Sequence, residues 1–262
     1  MFRRLGDRRG SATVLVDLAH VAWEQGVYQR ARALLEEALA LFHADADTGV
    51  RAEVLEALGK VAYGEGDFTR AHAWLAESLS AYRALDAKGR LASVLNLLGL
   101  VVWHQGEPAR AQTLYEESLA LYRERGDKHG SANSLSNLAW VALEQGAYER
   151  AAALHTQSLT LFRAVQDRDG VAECLEGLAR VCAAHGQPQW AVRLLGAATT
   201  QRAVIGLPRP APEGASHGRL VASLRSGLGS GAFAVAWEAG QALPLEQVIA
   251  DALALDTTGT PG

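Results

Sequence analysis

The sequence contains little cysteine and lacks any long apolar run. Its two cysteines, Cys174 and Cys182, lie in one predicted helix at a separation that excludes a disulfide between them. No CxxC pair or Cys/His cluster is present, so no metal site is predicted. Two scattered thiols favour a reducing cytoplasm. No apolar run is long enough to cross a bilayer, and no signal peptide is recognisable after Met1.

Strong charge of either sign is also missing. The net charge is −4, which gives no general reason to expect nucleic acid or an anionic membrane as a partner. Lysine is scarce beside arginine, a bias that indicates a GC-rich genome. The basic stretch FRRLGDRRG near the N-terminus has a counterpart of similar mixed charge at 121–130, LYRERGDKHG. We therefore interpret it as a polar linker of a repeat rather than as a DNA-binding arm.

No catalytic or phosphate-binding motif lies in the predicted structural context that it requires. The pair Gly59-Lys60 lacks the following hydroxyl residue of a phosphate-binding loop, and GLGSG at 227–231 follows no predicted strand. HExxH does not occur, and the GxSxG match GASHG at 214–218 lies in a Pro/Gly-rich stretch that follows no predicted strand. His155 occupies a bulky position that holds Tyr115 in the preceding unit, so a packing histidine is predicted rather than a ligand. The sequence thus predicts a non-enzymatic protein without a cofactor.

What the sequence does contain is a repeat with a period of 40 residues. A leucine, a glycine and an alanine return together in five segments without a gap. The glycines of this set are Gly26, Gly66, Gly106, Gly146 and Gly186. Because many positions agree at one fixed period, this self-similarity is the strongest signal in the chain.

Each unit is predicted to form two helices joined by a short turn. The first helix has apolar residues at helical spacing, such as Leu95, Leu98 and Val102, and the recurring glycine ends it. The second helix carries small Ala and Ser positions that permit close helix approach, and large residues that fill the space between hairpins. One hairpin cannot bury its own apolar stripe, so neighbouring hairpins are expected to stack into a continuous core.

These positions resemble the tetratricopeptide repeat. The family's Leu-Gly pair, turn glycine and following aromatic are present as Leu58-Gly59, Gly66 and Phe68. The resemblance covers residues 1–204 and implies an all-α fold, an α-α superhelix of about five helix-turn-helix repeats. The period is longer than the usual ~34 residues, and this longer form is similar to the repeats of large bacterial signalling proteins and kinesin light chains.

Composition divides the chain into four segments. The array at 1–204 is followed by a Pro/Gly-rich loop at 205–219, a helical cap of three short helices at 220–256 and a flexible tail at 257–262. Residues 1–10 match the tail of a second helix. The chain is therefore expected to begin inside a truncated repeat, as a fragment of a longer protein or the product of a truncated gene.

The C-terminal part also resembles the end of bacterial multidomain regulators. The runs RLLGAA, LRSGLG and EAGQALPLEQ are similar to sequences in proteins that join a LuxR-type, SARP-type, STAND-ATPase or cyclase domain to a tetratricopeptide array. The resemblance implies the C-terminal repeat module of such a regulator, with an upstream effector domain in a longer chain. It transfers no catalytic or DNA-binding residue to this sequence.

The candidate site is the concave face that first helices line in this family. The resemblance places there Lys60, Tyr63, Asn96, Trp103, Asn133, Asn137, Trp140 and Arg180, beside Glu53, Glu56, Leu100 and Glu173. An asparagine amide both donates to and accepts from an extended peptide backbone, and an aromatic ring is suited to anchor an apolar side chain. The alternative interpretation of the tryptophans is packing between repeats.

Three functions are compatible with these residues. The leading hypothesis is a protein-interaction scaffold, a sensor or assembly module that binds a peptide or a partner domain. The second is sensing of a small molecule, since Glu53, Glu56, Lys60 and Arg180 add charge to the aromatic residues. The third is self-association into a homo-oligomer through an uncapped N-terminal face.

Overall fold

The computed structural model describes residues 8–41, 48–205 and 211–254. In these ranges the chain forms thirteen α-helices and no strand. It divides into two compact units, residues 1–125 and 126–262. No helix in the described ranges is both long and apolar enough to cross a lipid bilayer.

The helices described in the first unit pair into three hairpins. They are α1 (Arg8–Glu24), α2 (Tyr28–Ala40), α3 (Thr48–Gly64), α4 (Phe68–Ala84), α5 (Lys88–His104) and α6 (Pro108–Glu124). Each first helix packs against the second helix of its own hairpin. In addition, α2 packs on α3 and α4 packs on α5, so the second helix of one hairpin covers the first helix of the next.

The second unit contains two further hairpins and a helical cap. Its helices are α7 (Lys128–Glu144), α8 (Tyr148–Ala164), α9 (Arg168–Ala184), α10 (Pro188–Ile205), α11 (Ala211–Leu228), α12 (Ser230–Ala242) and α13 (Leu245–Leu253). Helix α8 packs on α9 in the same way as in the first unit. Helix α12 lies along α10, and α13 contacts both α8 and α10.

The turn inside each hairpin repeats one backbone conformation. The five recurring glycines have φ angles between 71° and 84°, a left-handed region that side-chain-bearing residues enter only at a cost. The predicted role of these glycines in ending the first helices is confirmed. At the turn before α4, the side chain of Asp67 accepts the backbone N–H of Arg70 at 3.0 Å and caps the helix.

A buried serine links the two helices of the middle hairpins. The hydroxyls of Ser78, Ser118 and Ser158 donate to the carbonyl of the alanine 26 residues earlier, at 2.9, 2.8 and 2.8 Å. These serines lie at the small positions that the sequence predicts for close helix approach, and all three are fully buried. The buried hydroxyl therefore has a hydrogen-bond partner on the facing helix, and the side chain is small enough for close packing of the two helices.

Two boundaries predicted from the sequence are wrong. Helix α11 begins at Ala211, so the loop predicted over 205–219 does not extend beyond residue 210. Pro212 is tolerated there because the first turn of a helix needs no amide hydrogen from it. Residues 8–10 belong to α1 and not to the tail of a preceding second helix. Residues 1–7 and the predicted tail at 257–262 lie outside the described ranges.

Candidate functional site

Four of the predicted site residues lie on first helices of the first unit. Lys60 and Tyr63 are on α3, and Asn96 and Trp103 are on α5. All four are half-buried. Lys60 and Tyr63 are three residues apart and Asn96 and Trp103 are seven apart, so each pair lies on one face of its helix. This face is separate from the stripe that packs into the core.

Lys60 contacts a tryptophan of the first hairpin. Its Nζ lies 3.9 Å from the centroid of the Trp23 ring, a cation–π contact between α3 and α1. Burial lowers the pKa of Lys60, and the carboxylates of Glu56 and Glu24 act in the opposite direction. Trp23 therefore has the packing role that the sequence left open for the tryptophans.

Tyr63 belongs to an aromatic cluster that the sequence did not reveal. Its hydroxyl oxygen lies 3.0 Å from Nε2 of His104, at the C-terminal end of α5. The ring of His104 stacks on Phe68 at a centroid distance of 5.0 Å and lies 5.3 Å from the ring of Trp103. His104 thus brings together two predicted residues, Tyr63 and Trp103, that lie on different helices.

Glu56 is a hydrogen-bond acceptor between neighbouring hairpins. Its carboxylate accepts the Ser93 hydroxyl at 2.9 Å and the Tyr82 hydroxyl at 3.1 Å. The guanidinium of Arg90 lies 3.8 Å away and also pairs with Glu53 at 3.1 Å. Burial, together with the charge of Glu56, raises the pKa of Tyr82. We therefore assign Glu56 a role in holding the hairpins together.

The other predicted residues lie on α7 and α9 of the second unit. Asn133, Asn137 and Trp140 are half-buried on α7, and Arg180 is half-buried on α9. The side-chain amide of Asn133 donates to the carbonyl of His129 one turn earlier, at 3.1 Å. This contact within α7 uses part of the hydrogen-bonding capacity of Asn133.

Trp140 is held by residues of two neighbouring helices. Its indole Nε1 donates to Oε1 of Glu173 at 2.8 Å, and the same oxygen accepts the Ser136 hydroxyl at 2.7 Å. The guanidinium carbon of Arg180 lies 5.2 Å from the Trp140 ring centroid. The ring of His155 meets the indole edge-on at 5.5 Å. These contacts fix the position of the indole, which is half-buried.

The charged partners of Trp140 are partly desolvated. Burial raises the pKa of Glu173, and the hydrogen bonds from Ser136 and Trp140 act in the opposite direction. Burial lowers the pKa of Arg180. Arg180 also donates to the Ser216 hydroxyl of α11 at 2.8 Å. Sequence reasoning missed Ser216 because that stretch was predicted to be a loop.

The two carboxylate contacts of the site use the same pair of repeat positions. Ser93 and Glu173 lie two periods apart, and so do Glu56 and Ser136. In the first unit the carboxylate is on the earlier hairpin of the pair, and in the second unit it is on the later one. Once the repeat register is known, a Glu and a Ser that lie 37 residues apart at these two positions therefore indicate a hydrogen bond between neighbouring first helices.

Two cavities of the described ranges lie away from the predicted site residues. One of ≈ 590 Å³ opens at the first two hairpin turns and is lined by residues 26–29, Arg32, Glu65 and Asp67. One of ≈ 340 Å³ is lined by Arg163, residues 166–168, Val171, Leu245, Glu246 and Ile249. Neither is lined by a predicted site residue. No group of three or more His, Cys, Asp or Glu side chains among the described residues is placed to hold a metal ion.

Residues 10–84 and 90–164 match the sequence model of the tetratricopeptide repeat. The chain belongs to the tetratricopeptide repeat family. These two stretches cover more than half of its length. A search of curated proteins finds no match to the sequence.

Solved structures resemble the chain at low sequence identity. BtubC from P. vanneervenii has 19% identity and a TM-score of 0.65, covering 79% of this chain and 88% of its own. PilW, a type IV pilus biogenesis factor, has 16% identity and a TM-score of 0.61, covering 94% of this chain and 96% of its own. These likenesses show the fold alone, and they confirm the predicted all-α tetratricopeptide fold class.

A larger signalling protein is also similar. The STAND signal transduction ATPase from Pyrococcus horikoshii, which has a tetratricopeptide repeat sensor, shares 15% identity at a TM-score of 0.58. The match covers 93% of this chain and 39% of that protein. The present chain therefore corresponds in fold to a minor part of that protein.

Proposed function

We propose that this tetratricopeptide protein is a non-enzymatic interaction scaffold whose first-helix faces bind a peptide or a segment of a partner protein. The observation that supports this most is the state of Trp140, which is held by Glu173 and Arg180 and is half-buried rather than fully buried. An aromatic side chain that is already immobilised loses little entropy on binding and makes a good anchor for a partner.

The neighbouring polar groups define the ligand chemistry. Asn137 precedes Trp140 by three residues on the same face of α7, and its amide is suited to the N–H and C=O groups of an extended backbone. Arg180 adds a positive charge beside the indole. The proposed ligand of the second unit is an extended peptide with an apolar or aromatic side chain next to a hydrogen-bond acceptor.

The wider role we propose is that of a sensor or assembly module in a bacterial signalling or transcriptional regulator of the cytoplasm. The similarity of the C-terminal runs to multidomain regulators supports this role, as does the fold shared with part of the STAND protein, which has a tetratricopeptide repeat sensor. An effector domain would act together with the module in such a regulator. Direct contact with nucleic acid or with a membrane is not part of the proposal.

Small-molecule sensing is the weaker proposal on these observations. Small ligands favour enclosed pockets that surround most of their surface. The two cavities described above contain none of the predicted site residues, whereas the half-buried faces of α7 and α9 suit an extended ligand.

Selection of peptides from a displayed library on the purified chain tests the proposed function. For a selected peptide, we expect Trp140→Ala to weaken binding by at least about tenfold, because a central aromatic anchor carries much of the binding energy. Trp190→Ala is the matched control, since Trp190 is a half-buried tryptophan of α10 with Arg193 4.9 Å from its ring. Failure to enrich any peptide, or equal losses in both variants, would refute the proposal.

A further inference from the structure

The face of α9 next to Trp140 carries a guanidinium that has only a neutral hydrogen-bond partner. Arg180 is half-buried, and its side chain donates to the hydroxyl of Ser216 at 2.8 Å without forming an ion pair among the described residues. By contrast, Arg193 and Arg202 of the same unit each pair with a carboxylate, at 3.0 and 2.9 Å. A partly desolvated charge is normally balanced by an opposite one, so Arg180 is available to an anionic group of a ligand.

A second arginine approaches the same place from α11. Ser216 and Arg219 are three residues apart and therefore lie on one side of this helix. Because Ser216 contacts Arg180, that side of α11 faces α9. Arg219 is exposed, and it has no ion pair or side-chain hydrogen bond within the described ranges. Two guanidinium groups and one hydroxyl therefore lie together between α9 and α11.

The charges around Arg180 are consistent with this arrangement. Burial lowers the pKa of Arg180, the carboxylate of Glu176 opposes this effect, and the charge of Arg219 adds to it. Glu176 already pairs with Arg202 at 2.9 Å, and Glu173 already accepts two hydrogen bonds from α7. The two arginines therefore form a local excess of positive charge, which favours an anion at this point.

We propose that α11 forms a second wall of the peptide site and joins Arg180 in holding an acidic side chain of the bound segment. Arg219 and Ser216 supply the donors of α11. A guanidinium binds a carboxylate through two parallel hydrogen bonds, and the Ser216 hydroxyl, which accepts from Arg180, still has its own hydrogen to donate. This ligand chemistry rests on the proposed function and adds a selectivity that comes from a helix outside the matched repeats.

The composition of the peptides selected on the full chain provides the first test. The guanidinium carbon of Arg180 lies 5.2 Å from the Trp140 ring centroid, and an extended chain advances about 3.3 Å per residue. We therefore expect Asp or Glu one or two positions from the apolar side chain that contacts Trp140. Enriched peptides without an acidic residue there would overturn the proposed role of α11 and leave the proposed function standing.

A double-mutant cycle on one selected peptide tests the contact itself. We expect Arg219→Gln to weaken binding about fivefold, and to have no effect once the acidic residue of the peptide is replaced by its amide. Arg225→Gln is the matched control, because Arg225 is an exposed arginine of α11 whose guanidinium carbon lies 4.6 Å from the Phe233 ring centroid. Equal losses in the two variants, or a loss that persists with the amide peptide, would contradict the proposal.

Acetate provides a test that needs no peptide. The side-chain Nε–H resonances of the arginines are followed by NMR while acetate replaces chloride at constant ionic strength. We expect a saturable shift of the Arg180 resonance that Arg219→Gln removes. A response of Arg180 no larger than that of Arg225 would overturn the proposal even if peptides are enriched. If Arg180 responds to acetate and no peptide is enriched, the proposed function fails and the anion site between α9 and α11 is retained.

Discussion

At the scale of single residues, His155 has a polar ring where the fold needs an apolar one. It is completely buried, and neither ring nitrogen has a hydrogen-bond partner among the described residues. A Cβ atom added to Gly177 would lie 2.0 Å from Nε2 of His155, so the ring fits only because Gly177 has no side chain. The corresponding residue two periods earlier is Leu75. Burying an unsatisfied imidazole costs free energy that a leucine at this position does not incur.

We expect His155→Leu to raise the free energy of unfolding by about 1 kcal/mol at pH 7. Burial lowers the pKa of His155 to about 3, below the value of about 6.5 in the unfolded chain. The unfolded chain therefore binds the proton first, and the wild type loses stability as the pH falls below about 6.5. The difference in the free energy of unfolding between variant and wild type should therefore increase by about 2 kcal/mol from pH 7 to pH 5.

Urea unfolding at pH 7, 6 and 5 measures this difference. His20→Leu is the control for the loss of a histidine, because its ring is exposed on α1 and its replacement changes no buried site. A constant difference between His155→Leu and the wild type at all three pH values would show that the ring is solvated in solution.

At the scale of helices, one buried serine forms a hydrogen bond between the two helices of each middle hairpin. Ser78 of α4 donates to the carbonyl of Ala52 of α3 at 2.9 Å. The corresponding residues of the first and last hairpins are Ala38 and Ala198, and both are buried. An alanine therefore fits this position without a steric change, so replacing the serine by alanine removes the hydrogen bond and nothing else.

We expect Ser78→Ala to lower the free energy of unfolding by about 1 kcal/mol, since a typical intramolecular hydrogen bond contributes about that much. Ser80→Ala in the same helix changes an exposed serine and should be neutral or slightly stabilising, because alanine favours the helix. Denaturant unfolding of both variants provides the comparison. Equal stabilities would show that the buried hydroxyl has no net effect.

Helices could be predicted from the sequence far better than contacts between them. The recurring glycines and leucines define the hairpins because turns and core positions repeat at one period. The start of α11 was missed because Pro212 and its neighbouring glycines are typical of loops, and a helix tolerates proline in its first turn. The bond from Trp140 to Glu173 spans 33 residues. It depends on how two hairpins are offset, which local patterns do not encode.

At the scale of the whole molecule, the first and last helical pairs of the array differ in whether another helix covers them. The outer face of α1 is open among the described residues, whereas α10 is covered by α12. The contact between α10 and α12 requires two glycines, since a Cβ on Gly196 would lie 2.5 Å from the Trp237 carbonyl oxygen. A Cβ on Gly240 would lie 2.0 Å from the carbonyl oxygen of Arg193. The cap therefore depends on close backbone approach as well as on apolar area.

We expect Gly240→Ala to destabilise the cap by about 1 to 3 kcal/mol, because the helices must separate to admit the methyl group. Amide hydrogen exchange in α10 and α12 should accelerate before it changes in α7, since stability in a repeat array is set by contacts between neighbours. Gly231→Ala in the same helix is the control, because no atom lies within 4 Å of its added Cβ. That variant should be neutral or more stable by up to about 1 kcal/mol, as alanine replaces glycine in a helix. If Gly240→Ala accelerates exchange equally in α7 and α10, the cap and the hairpins unfold as one cooperative unit, and the local role assigned to this contact is wrong.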